Sequence, residues 1–229
     1  MIHTVPSAVI FDLDGTLLDT LRDLADSMNA VLEELGYSAH PVDAYRTFVG
    51  EGVLNLVRRA LPPDWRERVV RADGFLERCV QAMREQYELR STLTTAPYPG
   101  IPELLASLGE RGVDLAVLSN KPDAFTKKLV TRFFGERRFA VVLGARDGVP
   151  RKPDPAGARE ILRLLGKSPA ETLYVGDSGT DMDTAARAGM VSVGVLWGFR
   201  STAELRGHGA TRLVSAPHEL LELFPPGSP

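Results

Sequence analysis

The sequence predicts an α/β fold: a parallel sheet with helices on both faces, whose first strand is followed by a helical insertion. Three observations predict it. Residues 8–13 (Ala-Val-Ile-Phe-Asp-Leu) form a short apolar run that ends in acidic residues and Gly15, which suits a buried central strand. Residues from about 18 to 92 carry helical periodicity and no convincing strand. From Pro97 onward, strand-like and helix-like segments alternate, which is the signature of parallel strands joined by helical crossovers.

After the first strand, Leu21, Leu24, Ala25, Met28, Val31, Leu32 and Leu35 recur at helical spacing, and Gly36 stops the pattern. Thr20 with Asp23 resembles a capping-box start. A second helical pattern runs Trp65, Val69, Ala72, Leu76, Val80, Met83, Tyr87, weakened by Gly74. Residues 102–111 read as a helix with Pro102 near its start. Then come a strand at 113–118, a helix at 123–133, a strand at 140–143 and a helix at 155–165. A strand at 172–175, a helix at 180–188 and a strand at 191–195 complete the series. Residues 1–17 and 93–229 are expected to form the core domain, and residues 18–92 the inserted helical domain. The tail, 225–229, is expected to fray.

Composition bounds the function classes. The chain has 229 residues, 44% hydrophobic and 25% charged, enough for a well-buried core in one large or two small domains. A net charge of −3 argues against a dedicated nucleic-acid binder. A single cysteine, Cys79, excludes an intramolecular disulfide framework and a multi-cysteine zinc site, and its place in the helical pattern suits packing. No apolar run approaches a membrane span, and the first residues lack a secretory pattern, so a cytoplasmic protein with no membrane partner is expected. The four histidines, His3, His40, His208 and His218, are scattered and receive no role. The 27 basic residues comprise 22 Arg and 5 Lys, so a Lys near a strand end is more informative here than usual.

In open α/β sheets, ligands bind beyond the carboxyl ends of the strands. Polar residues collect at four such ends. The first is Asp12-Leu13-Asp14-Gly15-Thr16, whose two carboxylates repel unless a cation or a shared proton relieves them. Read alone, it is also a strand ending in a solvated turn. The second is Ser119-Asn120-Lys121-Pro122, an anion site at a helix start or, the better reading of this segment alone, a helix cap. The third is Arg151-Lys152-Pro153-Asp154-Pro155, in which Pro153 restricts the backbone of Lys152. The fourth, Gly176-Asp177-Ser178-Gly179-Thr180-Asp181, brings two more carboxylates. Hard oxygen ligands suit Mg²⁺. Aspartates, Mg²⁺, a phosphate cradle and a lysine together make a phosphoryl-transfer site.

In order and spacing these four segments resemble the haloacid dehalogenase superfamily. Asp12-x-Asp14-Gly15-Thr16 is similar to its first motif, Ser119 to its second, Lys152 to its third and Gly176-Asp177-x-x-x-Asp181 to its fourth. The resemblance implies a Rossmann-like parallel-sheet core with an inserted α-helical cap domain. Within the superfamily the segments look most like phosphoglycolate phosphatases. It implies that Asp12 attacks phosphorus and becomes an aspartyl phosphate, and that Asp14 protonates the leaving alkoxide and then deprotonates water. Mg²⁺ would be held by Asp12, the backbone carbonyl of Asp14, and Asp177, with Asp181 binding directly or through water. Ser119, the Asn120 backbone and Lys152 would hold the phosphoryl oxygens, and Thr16 would orient Asp14 or its loop.

In the insertion, Gly50, Glu51 and Gly52 are expected to face a small carboxylate substrate, unless they form an ordinary helix–helix turn. Arg46 suits a solvated face better than a carboxylate clamp, Lys121 the start of a helix better than a reach into the site, and Trp197 the rim of the site and packing equally. The expected partner is a small phosphorylated metabolite, with 2-phosphoglycolate the first candidate, and the expected assembly is a monomer or homodimer. Alternatives are a β-phosphoglucomutase-like sugar-phosphate mutase, a pyrophosphatase, a phospho-receiver and a non-catalytic binding protein.

Overall fold

The computed structural model describes residues 5–65 and 73–225, and within them β1 (Ala8–Phe11) is buried along its whole length. Both faces of this strand are covered. Val9 and Phe11 join one core cluster and Ile10 the other, as the two-residue repeat of a strand requires. A four-residue apolar run with no polar alternation therefore becomes the centre of the sheet.

The other strands are β4 (Asp114–Pro122), β5 (Val141–Ala145), β6 (Thr172–Gly176), β7 (Val191–Val195) and β8 (Arg212–Val214). They form a six-stranded parallel sheet in the order β5-β4-β1-β6-β7-β8. Ile10 pairs with Ala116 on one side and Tyr174 on the other. The chain builds outward from β1 through β4 to β5, then returns to place β6 on the opposite side. That reversal opens a crevice at the carboxyl end of β1, where ligands bind in such sheets.

Helices cover both faces. α5 (Ile101–Glu110) and α6 (Asp123–Phe134) bring Leu104, Leu105, Leu108, Leu129 and Val130 to the first cluster. α7 (Ala156–Leu165) and α8 (Gly179–Ala188) bring Ala158, Ile161, Leu162, Ala185 and Ala188 to the second. The strands and helices expected from residue 102 to 195 are present with shifts at their ends. β8, the short helix α9 (Thr202–Gly207) and the 3₁₀ helix Pro217–Leu223 were not anticipated, being too short to show a period.

The chain divides into two compact units, one running to Asp19 and resuming at Pro97, the other Thr20–Ala96. The second is helical: α1 (Leu21–Glu34), α2 (Tyr45–Phe48), α3 (Val53–Ala60) and α4 (Phe75–Arg90). Gly74 stands at the start of α4 with φ of 70°, so it begins this helix. Val69 and Ala72 of the expected pattern lie outside the described residues. Two short strands, β2 (Leu18–Asp19) and β3 (Ala96–Pro97), pair with each other where no strand was expected, because two residues carry no readable alternation.

The expected capping box at Thr20 is absent, since Thr20 makes no side-chain cap bond. Asp23, buried at 1% exposure, has another task. Its Oδ1 accepts from the Thr94 amide at 2.9 Å and hydroxyl at 2.6 Å, and its Oδ2 from the Thr95 amide at 2.9 Å and hydroxyl at 2.7 Å. One carboxylate thus ties the first turn of α1 to the segment just before the chain leaves the helical unit. Asp23→Ala would strand the two buried donors of Thr95 and free those of the exposed Thr94, and chemical denaturation is expected to show a loss of about 2–4 kcal/mol.

Candidate active site

Asp12 follows β1 directly, and its amide donates to Val175 O at 2.9 Å, which fixes it beside β6. The next residues turn sharply: the amides of Leu17 and Leu18 both donate to Leu13 O at 3.0 Å. Gly15 makes this turn with φ of +84°, and a Cβ there would lie 2.4 Å from Asp177 Oδ2. A Cβ on Gly198 would lie 2.2 Å from Asp177 Cβ, and one on Gly176 2.3 Å from Asp181 Cγ. The backbone can press this closely on the carboxylates only because these positions have no side chain.

Asp12, Asp177 and Asp181 form a buried cluster whose ligand oxygens lie within 4.8 Å of one another. Lys152 Nζ sits 2.8 Å from Asp12 Oδ1 and 2.7 Å from Asp181 Oδ1. Its backbone is pinned by Asn120, whose side chain accepts from Lys152 N at 2.9 Å and donates to Lys152 O at 3.1 Å. The side chain of Asn120 thus places Lys152, a task that its sequence position did not disclose. The Tyr174 ring lies beneath the ammonium, 5.9 Å from Nζ to centroid. Thr16 Oγ1 donates to Asp177 Oδ1 at 3.3 Å, and the Phe199 amide to Asp177 Oδ2 at 2.7 Å. Asp181 Oδ2 accepts from the Ser178 hydroxyl at 2.6 Å in a capping box at the start of α8.

The electrostatics follow from three acids sharing one base. Burial, joined by the Asp181 charge, pushes the Asp12 carboxyl well above its usual range despite Lys152. Burial and the same neighbour push Asp177 up to about 7. Burial disfavours the charge on Lys152, but the Asp12 and Asp181 carboxylates outweigh it and raise its pKa. With every group ionised, the cluster itself holds two negative charges more than Lys152 can balance. A divalent cation would supply that balance, and carboxylate oxygens are the ligands that a hard cation takes.

The structure therefore gathers Asp12, Thr16, Lys152, Asp177 and Asp181 at one sheet edge. Ser119, buried at the end of β4, has its Oγ 3.2 Å from the Lys121 amide. Lys121 does more than start a helix. It is the final part of β4, and its Nζ lies 2.8 Å from both carboxylate oxygens of Asp14. Trp197 Nε1 donates to Thr16 O at 3.0 Å, which props the turn after Asp14. Gly50, Glu51 and Gly52 belong to the helical unit, between α2 and α3. Gly50 and Gly52 have φ of 115° and 87°, and Glu51 pairs with Arg59 at 2.6 Å. Arg46 pairs with Asp43 on an exposed face. No described helix is long and apolar enough to cross a membrane.

Known proteins share both this sequence and this fold. The chain is 32% identical over 216 residues to a phosphoglycolate phosphatase of Aquifex aeolicus, covering 94% of this chain and 95% of the relative. It is 34% identical over 222 residues to one of Neisseria meningitidis, covering 96% and 94%. A crystal structure from Lactobacillus delbrueckii subsp. bulgaricus superposes with a TM-score of 0.87 at 32% identity, covering 98% of this chain and 100% of that one. Residues 9–195, which span the acidic cluster and its lysine, match the family model of haloacid dehalogenase-like hydrolases. The chain belongs to that family and is a phosphatase hydrolase.

Proposed function

We propose that the chain is a Mg²⁺-dependent phosphatase that converts 2-phosphoglycolate to glycolate and phosphate through an aspartyl phosphate on Asp12. The buried cluster of Asp12, Asp177 and Asp181 around Lys152 carries this reading. The substrate is the one named for the Aquifex and Neisseria relatives.

Asp12, Asp177 and the backbone carbonyl of Asp14 would hold the ion, with Asp181 beside them. Bound there, Mg²⁺ would neutralise the carboxylates and lower the charge barrier to an approaching phosphate. Asp12 is the nucleophile, since it sits at the head of the central strand with Lys152 on one oxygen. A carboxylate oxygen of Asp12 bonds to phosphorus as the ester P–O bond breaks. Asp14 gives its proton to the departing alkoxide. It then takes one from a water that attacks phosphorus, which frees phosphate and restores Asp12. Ser119, the Asn120 amide and Lys152 would meet the phosphoryl oxygens, where preplaced donors stabilise developing charge. The helical unit Thr20–Ala96 would act as the cap, with backbone amides of Gly50, Glu51 and Gly52 reading the substrate carboxylate.

Phosphate release from a panel of 2-phosphoglycolate, sugar phosphates, nucleoside monophosphates and pyrophosphate tests the reaction. The 2-phosphoglycolate signal should require Mg²⁺ and fall by at least about 10³-fold in Asp12→Asn. Turnover without phosphate accumulation would contradict hydrolysis. Thermal melting tests the ion site. Without Mg²⁺ at pH 8, Asp177→Asn should melt above wild type because a buried repulsion is gone, and Mg²⁺ should raise the melting point of wild type alone. The sign with pH is fixed. The native Asp177 binds its proton more tightly than the unfolded chain does. The stability from this tight proton is present below about pH 4 and is lost as pH rises through about 7. The metal-free wild type should therefore lose ground to Asp177→Asn across that interval.

A further inference from the structure

Lys121 is not used by the nucleophile, phosphate or ion roles above. Its ammonium touches both oxygens of Asp14 at 2.8 Å, with the two side chains 5% and 12% exposed. An exposed ion pair contributes little, but this one is withdrawn from water.

Lys121 reaches Asp14 from an irregular stretch of strand. Between Leu118 and Pro122, β4 advances four residues while β5 advances two, from Leu143 to Ala145. Such a bulge re-aims side chains that would otherwise alternate strictly. It is held in place. The Lys121 amide donates to Ser119 Oγ at 3.2 Å, and Thr126 Oγ1 donates to Lys121 O at 3.2 Å. Gly144 lies so near that a Cβ there would come within 2.7 Å of Lys121 O and 2.5 Å of Asp123 Cα. The Gly144 amide also donates to Asp123 Oδ1 at 2.9 Å.

We propose that Lys121 is a positioning residue for Asp14 in proton transfer to the leaving group: its ammonium sets the direction in which the Asp14 carboxylate points. The proposal rests on the acid/base reading of Asp14. A carboxylate otherwise turns about its own axis, and the reaction would have to arrest that motion in each turnover. Gripping both oxygens removes this freedom beforehand. The ammonium is a compact charge with three donors, so it can hold the carboxylate in this orientation while one oxygen meets the leaving group. Two of the chain's five lysines thus divide the Asp12-Leu13-Asp14 motif between them, Lys152 on the first carboxylate and Lys121 on the second.

The test compares leaving groups in the Mg²⁺-loaded enzyme. kcat/KM covers the steps up to departure of the leaving group, and p-nitrophenolate departs without a proton. The comparison substrate is 2-phosphoglycolate, or the alkyl phosphate turned over fastest in the panel. Lys121→Met should lower kcat/KM for the alkyl phosphate about 30- to 100-fold, mainly in kcat, and for p-nitrophenyl phosphate by less than about threefold. In an Asp14→Ala background the same substitution should add no further loss. Lys121→Arg, which can also grip both oxygens, should restore part of the rate. Equal losses on both substrates, or losses that multiply with Asp14→Ala, would overturn the proposal. Lys121→Gln, shorter and polar, replaces the Met variant if that fails to fold. An Asp14→Ala enzyme with undiminished alkyl-phosphate kcat/KM would sink the acid/base reading itself. An Asp14→Ala enzyme reduced to a small residual rate beside an unimpaired Lys121→Met would sink the proposal alone.

Discussion

Three carboxylates share one lysine in a place that water scarcely reaches. Asp177 and Asp181 are 2% and 0% exposed, and Lys152 is 6% exposed. Buried like charges are costly unless something opposes them. The protein opposes them only in part, with Lys152 between Asp12 and Asp181, with the charge of Arg200 near Asp177, and with donors from Thr16, Ser178 and Phe199. The unbalanced remainder is what the proposed ion would neutralise. A site assembled for stability alone would not leave it.

The sheet delivers this imbalance. Three adjacent parallel strands, β4, β1 and β6, point the same way, so their carboxyl-end segments carry Ser119, Asp12 and Asp177 from positions far apart in sequence. Gly15, Gly176 and Gly198 let three backbone segments close on Asp177 and Asp181. Asn120 reaches across to fix the loop that carries Lys152.

Much of this was legible in the sequence because it is local. The apolar run before Asp12 reads as a central strand, and the alternation after Pro97 reads as a parallel sheet. Three of the four polar strand ends lie within a few residues of the groups that meet in the acidic cluster. What escaped notice depends on contacts between distant residues. Lys121 reads as a helix start more readily than as a site residue because a bulge cannot be read from residues 118–122 alone. Asn120 looked like a cap or a backbone donor because its partner stands 32 residues away. Asp23 looked like a capping residue because Thr94 and Thr95 are 71 and 72 residues away. β8 was missed because three residues, Arg212–Val214, show no period.

Calorimetric titration of Mg²⁺ into the metal-free protein at pH 7, repeated in two buffers of different ionisation enthalpy, tests the charge balance most directly. Metal binding to a cluster that retains a proton must expel it. One ion per chain should bind with net proton release, and Asp177→Asn, which lacks a carboxylate ligand, should lose the binding. Absence of binding, binding with no proton released, or unchanged binding in the variant would contradict a buried charge deficit as the basis of the site.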